Sequence, residues 1–172
     1  MSKLNTLIDY AKRGAFDEIY TPSYAVEPLI EFLNKKNYKV VWECTDFGNS
    51  QITQYLKEQG FQVISTKIDD LDFLKDTANF DFDIIITNPP YSLKDQFLKK
   101  VYEYKKPFAL LLPLTALEGQ ARNKQYKANG IEVLVLNKRI NFTSGKGAWF
   151  NTSWFCKDLL DKDLMFAEIN KE

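Results

Sequence analysis

Apolar and polar positions along this 172-residue chain alternate between two periods. Val26, Leu29, Ile30 and Leu33 recur at helical spacing behind the start signal Thr21-Pro22-Ser23, and Ile52, Tyr55 and Leu56 repeat that spacing ahead of a glycine stop at Gly60. Short continuous apolar runs lie between the helical stretches, at residues 40–44, 61–66, 82–87, 108–112 and 131–136, each bounded by turn residues. Run length and β-branched content predict strands, and the unbroken run 108–112 predicts a central, parallel one. Leu93, Phe97, Leu98 and Val101 mark a further helix, and residues 116–128 another that stops at Asn129-Gly130. Strand, turn, helix, strand is the unit of an α/β sheet with right-handed crossovers. Residues 151–156 follow the 131–136 strand with no helix between, so they are expected to pair antiparallel with it. Leu4, Leu7, Ile8 and Ala11 predict a short opening helix, and Leu159, Leu160 and Leu164 a short helical tail.

Composition narrows the chemistry. With 45% hydrophobic and 27% charged residues the chain reads as one globular domain over residues 1–172, large enough to bury a core. Its 23 basic and 23 acidic residues cancel, so any nucleic-acid contact must come from a local patch. There is no histidine, and Cys44 and Cys156 are the only cysteines, which removes His/Cys metal clusters and histidine-dependent triads from consideration; no metal is expected. The polar start carries no long apolar segment, so the expectation is a cytoplasmic protein with free thiols and no membrane partner. Oligomeric state is not legible at this level.

Candidate chemistry concentrates at Thr87-Asn88-Pro89-Pro90-Tyr91, directly after the apolar run Ile84-Ile85-Ile86. Ligands of open α/β sheets bind outside the carboxyl ends of the strands. Two prolines in sequence fix an extended turn without backbone donors, so Asn88 and Tyr91 project from a stiff platform. Residues 67–83 hold six acids against two bases, an anionic stretch containing Phe73. Two basic stretches, residues 94–106 and 138–149, are candidates for phosphate contact; in the second, Lys138, Arg139 and Lys146 are interleaved with Phe142 and Trp149.

In order along the chain, Tyr20-Thr21-Pro22, Trp42-Glu43, Asp72-Phe73 and Asn88-Pro89-Pro90-Tyr91 resemble the amino-methylating S-adenosylmethionine-dependent methyltransferases, particularly the compact phage and bacterial N6-adenine DNA methyltransferases that lack a target-recognition domain. The resemblance covers nearly the whole chain and implies a Rossmann-like class I methyltransferase fold, a mostly parallel sheet closed by an antiparallel hairpin strand. It implies S-adenosylmethionine as cofactor, held by Tyr20, Thr21, Glu43, Gly48, Ser50, Asp69, Asp72, Phe73 and Asn88. Ser65-Thr66-Lys67 stands where relatives carry a ribose-binding acid, with Asp69 or Asp70 as the nearby replacements. By the same resemblance Asn88 and the Pro89 carbonyl would accept the hydrogens of an adenine N6 amine, on the platform Pro89-Pro90, and Tyr91 would stack on the extruded base. The implied partner is nucleic acid, DNA rather than RNA. The alternative is a methyltransferase-fold module that has lost or changed its activity.

Overall fold

The computed structural model describes residues 21–46, 48–142 and 151–170. The expected opening helix at Leu4 to Ala11, Tyr20, Lys146 and Trp149 lie outside those residues.

The predicted helix behind Pro22 is built in three pieces: α1 (Ser23–Val26), a 3-10 turn (Glu27–Leu29) carrying Pro28, and α2 (Ile30–Lys35). Strand β1 (Val40–Glu43) follows, then α3 (Gln51–Glu58) and β2 (Gln62–Ser65). Helix α3 starts where the Ser50 hydroxyl accepts the Thr53 N–H at 3.3 Å, and it is followed by Gly60 at φ 90°, the left-handed position that favours glycine. Strand β3 (Ile84–Thr87) leads through a 3-10 turn at Tyr91–Leu93 into α4 (Lys94–Tyr104). Strand β4 (Phe108–Pro113) is buried along its whole length. The helix expected over residues 116–128 is split into a 3-10 turn, Leu114–Leu117, and α5 (Gln120–Asn129). Gly119, at φ 114°, breaks it, and the Arg122 guanidinium donates to the carbonyls of Ala116 and Glu118 at 2.9 and 2.6 Å. Strands β5 (Glu132–Leu136), β6 (Thr152–Lys157) and β7 (Leu164–Ala167) complete the described chain.

The seven strands form one sheet in the order β2-β1-β3-β4-β6-β5-β7. Pairing is parallel except at β6, which runs antiparallel to both β4 and β5. The predicted antiparallel closing strand is therefore present, but it is inserted between β4 and β5, so β5 and β7 join the sheet only through it.

The tail departs from expectation. Residues 159–164 are not helical. Asp158 turns at φ 55°, and the N–H groups of Asp158, Leu159 and Leu160 donate to the Glu132 carboxylate at 2.8, 3.0 and 2.7 Å. That carboxylate satisfies the donors a first helical turn would have left open. Leu164 then begins β7, an edge strand parallel to β5.

Two apolar clusters sandwich the sheet. One packs α1, α2 and α3 against Val41, Ile84, Ile86, Leu111 and Trp154, whose indole N–H donates to the Ala25 carbonyl at 2.7 Å. The other lies under α4 and is aromatic: Trp42 is surrounded by Phe73, Phe80, Phe82 and Tyr104 at centroid distances of 5.0–5.4 Å. With both faces covered, what remains open for chemistry is the edge where the parallel strands end. Among the described residues no helix is long and apolar enough to cross a membrane.

Candidate active site

At that edge, β1 ends in Glu43 and β3 in Thr87, and both side chains are 0% exposed. The Thr87 hydroxyl donates to Glu43 Oε1, the Thr45 N–H donates to the same oxygen at 3.1 Å, and the Ser50 hydroxyl donates to Oε2 at 3.3 Å. Thr45 and Thr87 also share a hydroxyl–hydroxyl bond of 2.5 Å. Burial pushes the Glu43 carboxyl up to about 7, because desolvation outweighs the bonds from Thr87, Thr45 and Ser50 that favour the anion, and the neighbouring Asp46 pushes in the same direction as burial.

Asp46 organises the loop between β1 and α3. Its Oδ1 accepts the N–H groups of Gly48 at 2.7 Å and Ser50 at 3.2 Å, and its Oδ2 accepts the Thr53 hydroxyl at 2.8 Å and the Ser65 hydroxyl. Burial alone would raise this carboxyl, but the four donors outweigh it and hold Asp46 below its ordinary value of 3.8. Ser65, standing near the expected ribose acid, is thus bonded back into the β1 loop. Gly48 is exposed at φ 106°, with nothing within 4 Å of where a Cβ would stand, so its requirement for glycine is conformational.

On the β3 side, Asn88 is 0% exposed and its amide donates to the Thr21 hydroxyl at 2.9 Å, tying the β3 exit to the residue two before α1. Pro89 and Pro90 are buried, and Pro90 is extended at φ −57°, ψ 122°. Tyr91 is half-buried against the aromatic cluster, with its carbonyl accepting the Lys94 ammonium at 3.3 Å. The structure therefore brings Thr21, Glu43, Ser50 and Asn88 to one edge, with Gly48 on the loop beside them.

Other predicted residues are committed elsewhere. Phe73 is 2% exposed and stacked on Phe97 at 5.1 Å, so it is a core residue, and its ring is not presented to a purine as expected. Asp72 accepts the Leu74 N–H at 3.0 Å and pairs with Lys75 at 2.9 Å, a local turn contact. Asp69 and Lys67 are exposed beyond β2, where the Lys67 carbonyl accepts the N–H groups of Asp70 and Leu71. Lys138 and Arg139 are exposed after β5, which runs parallel to β1 and β3 and so exits at the same edge; Arg139 donates to the Asn151 side chain at 2.9 Å. Phe142 is half-buried against the first apolar cluster. Thr45 and Asp46 were not singled out from sequence, and Thr87 was named only as the residue that opens the Asn88 stretch, without a role of its own. Their signal was there as polar residues at the ends of buried strands, where an unpaired hydroxyl or carboxyl is costly.

No protein-family model matches this chain, and no curated protein matches it. Among solved structures it is similar to a candidate class I S-adenosylmethionine-dependent methyltransferase from Listeria monocytogenes, with a TM-score of 0.58 and 15% identity over 88% of this chain and 66% of that one. The chain thus spans just under two thirds of that protein's length. The fold is that of the class I methyltransferases. A second similarity, at a TM-score of 0.39 and 15% identity over 87% of this chain and 69% of that one, is to a candidate methyltransferase from Thermoplasma acidophilum. In the class I fold, the Glu43–Ser50 loop and the Asn88–Tyr91 turn lie at the strand ends where ligands of open α/β sheets bind.

Proposed function

We propose that this domain binds S-adenosylmethionine at the exits of β1 and β3 and methylates an exocyclic amine, the N6 of adenine in nucleic acid, DNA rather than RNA. The observation that carries this reading is Asn88: a fully buried amide after a buried strand, oriented by the 2.9 Å bond to Thr21 and followed by two buried prolines. Because Nδ2 is given to Thr21, Oδ1 is set as the acceptor that the amine hydrogens require. At the edge, the exposed backbone at Gly48 and Asn49 suits the methionyl end of the cofactor, with Thr21 and Ser50 buried beside it and their hydroxyls bonded to Asn88, Glu43 and Thr53. For the adenosyl end, exposed Asp69 is a better candidate than Asp72 or Phe73, whose side chains are used internally.

When bound, the cofactor supplies an electrophilic methyl on a sulfonium. The chain's own part is positioning. Asn88 Oδ1 and the Pro89 carbonyl accept the two amine hydrogens and draw the nitrogen lone pair out of conjugation with the ring. Tyr91 stacks on the base, and Lys138 and Arg139 offer positive charge to the phosphates at the same sheet edge.

A second reading, a module that keeps the fold without the reaction, is favoured by one observation: the two acids of the β1 loop, Glu43 and Asp46, are bonded to hydroxyl and backbone donors of this chain. Calorimetry with S-adenosylmethionine and S-adenosylhomocysteine, followed by methyl transfer to unmethylated DNA and RNA, separates the two. Cofactor binding together with transfer that is lost in Asn88→Ala supports the enzyme. Cofactor binding with no transfer to either nucleic acid supports the module.

A further inference from the structure

Strand β7 is the outer edge of the sheet, and its exposed surface is unusual. Among the described residues three large apolar side chains are exposed, and two of them are on β7: Leu164 at 55% and Phe166 at 75%. Edge strands ordinarily carry a proline, a lysine or a bulge that discourages further pairing, and Leu164–Ala167 carries none of these.

The register shows which backbone groups are open. Val133 and Asn137 donate to the carbonyls of Asp163 and Ala167 at 2.8 and 2.9 Å, so the odd-numbered residues of β7 turn their peptide groups toward β5. By the alternation of a parallel ladder, the N–H and C=O of Leu164 and Phe166 point away from the sheet. Their side chains stand on the same face as one another. Lys162, in the bend two residues before Leu164, and Glu168, directly after the strand, flank this apolar pair in the sequence, both exposed and neither in an ion pair among the described residues.

The series Lys162, Leu164, Phe166, Glu168 is complementary to itself when reversed. We propose that β7 pairs antiparallel with β7 of a second copy about a two-fold axis at Met165. In that register Leu164 and Phe166 of one copy form hydrogen-bonded pairs with Phe166 and Leu164 of the other, using the four outward peptide groups. Lys162 faces Glu168 twice. Centring the axis on Leu164 or Phe166 instead sets like residues opposite each other and loses the charge match. The interface is isologous, as a closed dimer requires. It is also small, a four-residue strand against its mate, so the dimer forms at micromolar or higher concentrations and not at nanomolar ones. Because the two β7 strands run in opposite directions, the carboxyl ends of the parallel strands in the two copies face opposite sides of the joined sheet.

Sedimentation velocity across roughly 1 to 500 μM protein, a range set by the weak-interface class, together with hydrogen exchange at the Leu164 and Phe166 amides, tests the pairing. The expected result is concentration-dependent dimerisation accompanied by protection of both amides. Phe166→Pro removes an outward N–H at an edge position that tolerates proline and should abolish the dimer while leaving a folded monomer. Glu168→Lys should weaken association, and the charge-exchanged Lys162→Glu/Glu168→Lys protein should regain it. A chain that stays monomeric over the whole range overturns the proposal, as does a dimer indifferent to Phe166→Pro. Failure of the exchanged protein to recover overturns the register.

Discussion

The Thr87 hydroxyl donates to the Glu43 carboxylate across the ends of β3 and β1, both groups fully buried, one residue before the Asn88 turn. Protonation of Glu43 is thereby linked to the backbone that carries the candidate amine-binding amide. The raised value, about 7 against an ordinary 4.5, means that the folded chain holds this proton where the unfolded chain releases it.

Stability should therefore fall as pH rises from about 4.5 to about 7 and then level off, the sign expected for an acid whose folded value is raised. Each unit of displacement corresponds to about 1.4 kcal/mol, so the total is a few kcal/mol. Urea denaturation of wild type and Glu43→Gln over that window checks it. The difference between the two proteins should change with pH in that interval, and pH-independent curves in both would contradict the assignment.

Asp46 has the opposite sign. Its folded value lies below 3.8, so its contribution is present above that pH and is lost as pH falls through the folded value. Asp46→Asn should cost about 2 kcal/mol at neutral pH, since hydrogen bonds to a charged acceptor are stronger than neutral ones. It should also make the protein less sensitive to acid. Acid titration followed by circular dichroism reads both effects.

Thr21 is expected to matter through Asn88. Thr21→Val deletes the acceptor of the 2.9 Å amide bond, which should cost about 1 kcal/mol of stability and lower methyl transfer by about tenfold or more as the amide loses its orientation. Thr21→Ser, which keeps the hydroxyl, should restore most of the transfer. A serine variant that loses transfer while the valine variant, which keeps a methyl, retains it would show that packing of the threonine methyl, not the bond, is what counts.

Phe73 separates a core role from a cofactor role. Buried against Trp42 and Phe97, it should behave as a core aromatic: Phe73→Ala is expected to destabilise by about 3–5 kcal/mol. Phe73→Leu should lose less stability and leave cofactor affinity unchanged. A stable Phe73→Leu protein whose affinity for S-adenosylhomocysteine fell sharply would return Phe73 to the site.

Much of this architecture was legible because local signals and tertiary outcome agree. The apolar runs at β3 and β4 are buried on both faces, as continuous hydrophobicity predicts for central strands, and Gly60 stops α3 where its sequence position indicates. The turn at Asn88 was legible because two prolines after a buried strand leave few conformations. What sequence did not disclose depends on partners distant in the chain. Phe73 reads alike whether its ring faces a ligand or Phe97, and only the packing of α4 decides. Leu164 belongs to a strand because Glu132 captures the preceding N–H groups and β5 offers a parallel edge, neither visible in four residues of local pattern. The mutual satisfaction of Glu43, Thr45, Ser50 and Thr87 gathers residues up to 44 positions apart, beyond the reach of periodicity.

The central position of β6 bears on how this protein comes to exist in a cell. During synthesis, β1 to β4 leave the ribosome well before β6, while β5 has no neighbour in the sheet until β6 arrives to join it to β4. Trp154 on β6 also supplies the indole that anchors α1 at Ala25, 129 positions earlier. A nascent chain extended only as far as β5 therefore exposes one flank of β4 and leaves α1, next to Thr21, without its anchor. Contacts this distant in sequence slow folding and lengthen exposure of unpaired edges. The surroundings of the Asn88–Thr21 contact are thus completed by a strand translated after β1 to β5, so a chain arrested before β6 would carry the Asn88-Pro89-Pro90-Tyr91 sequence without the packing finished around it.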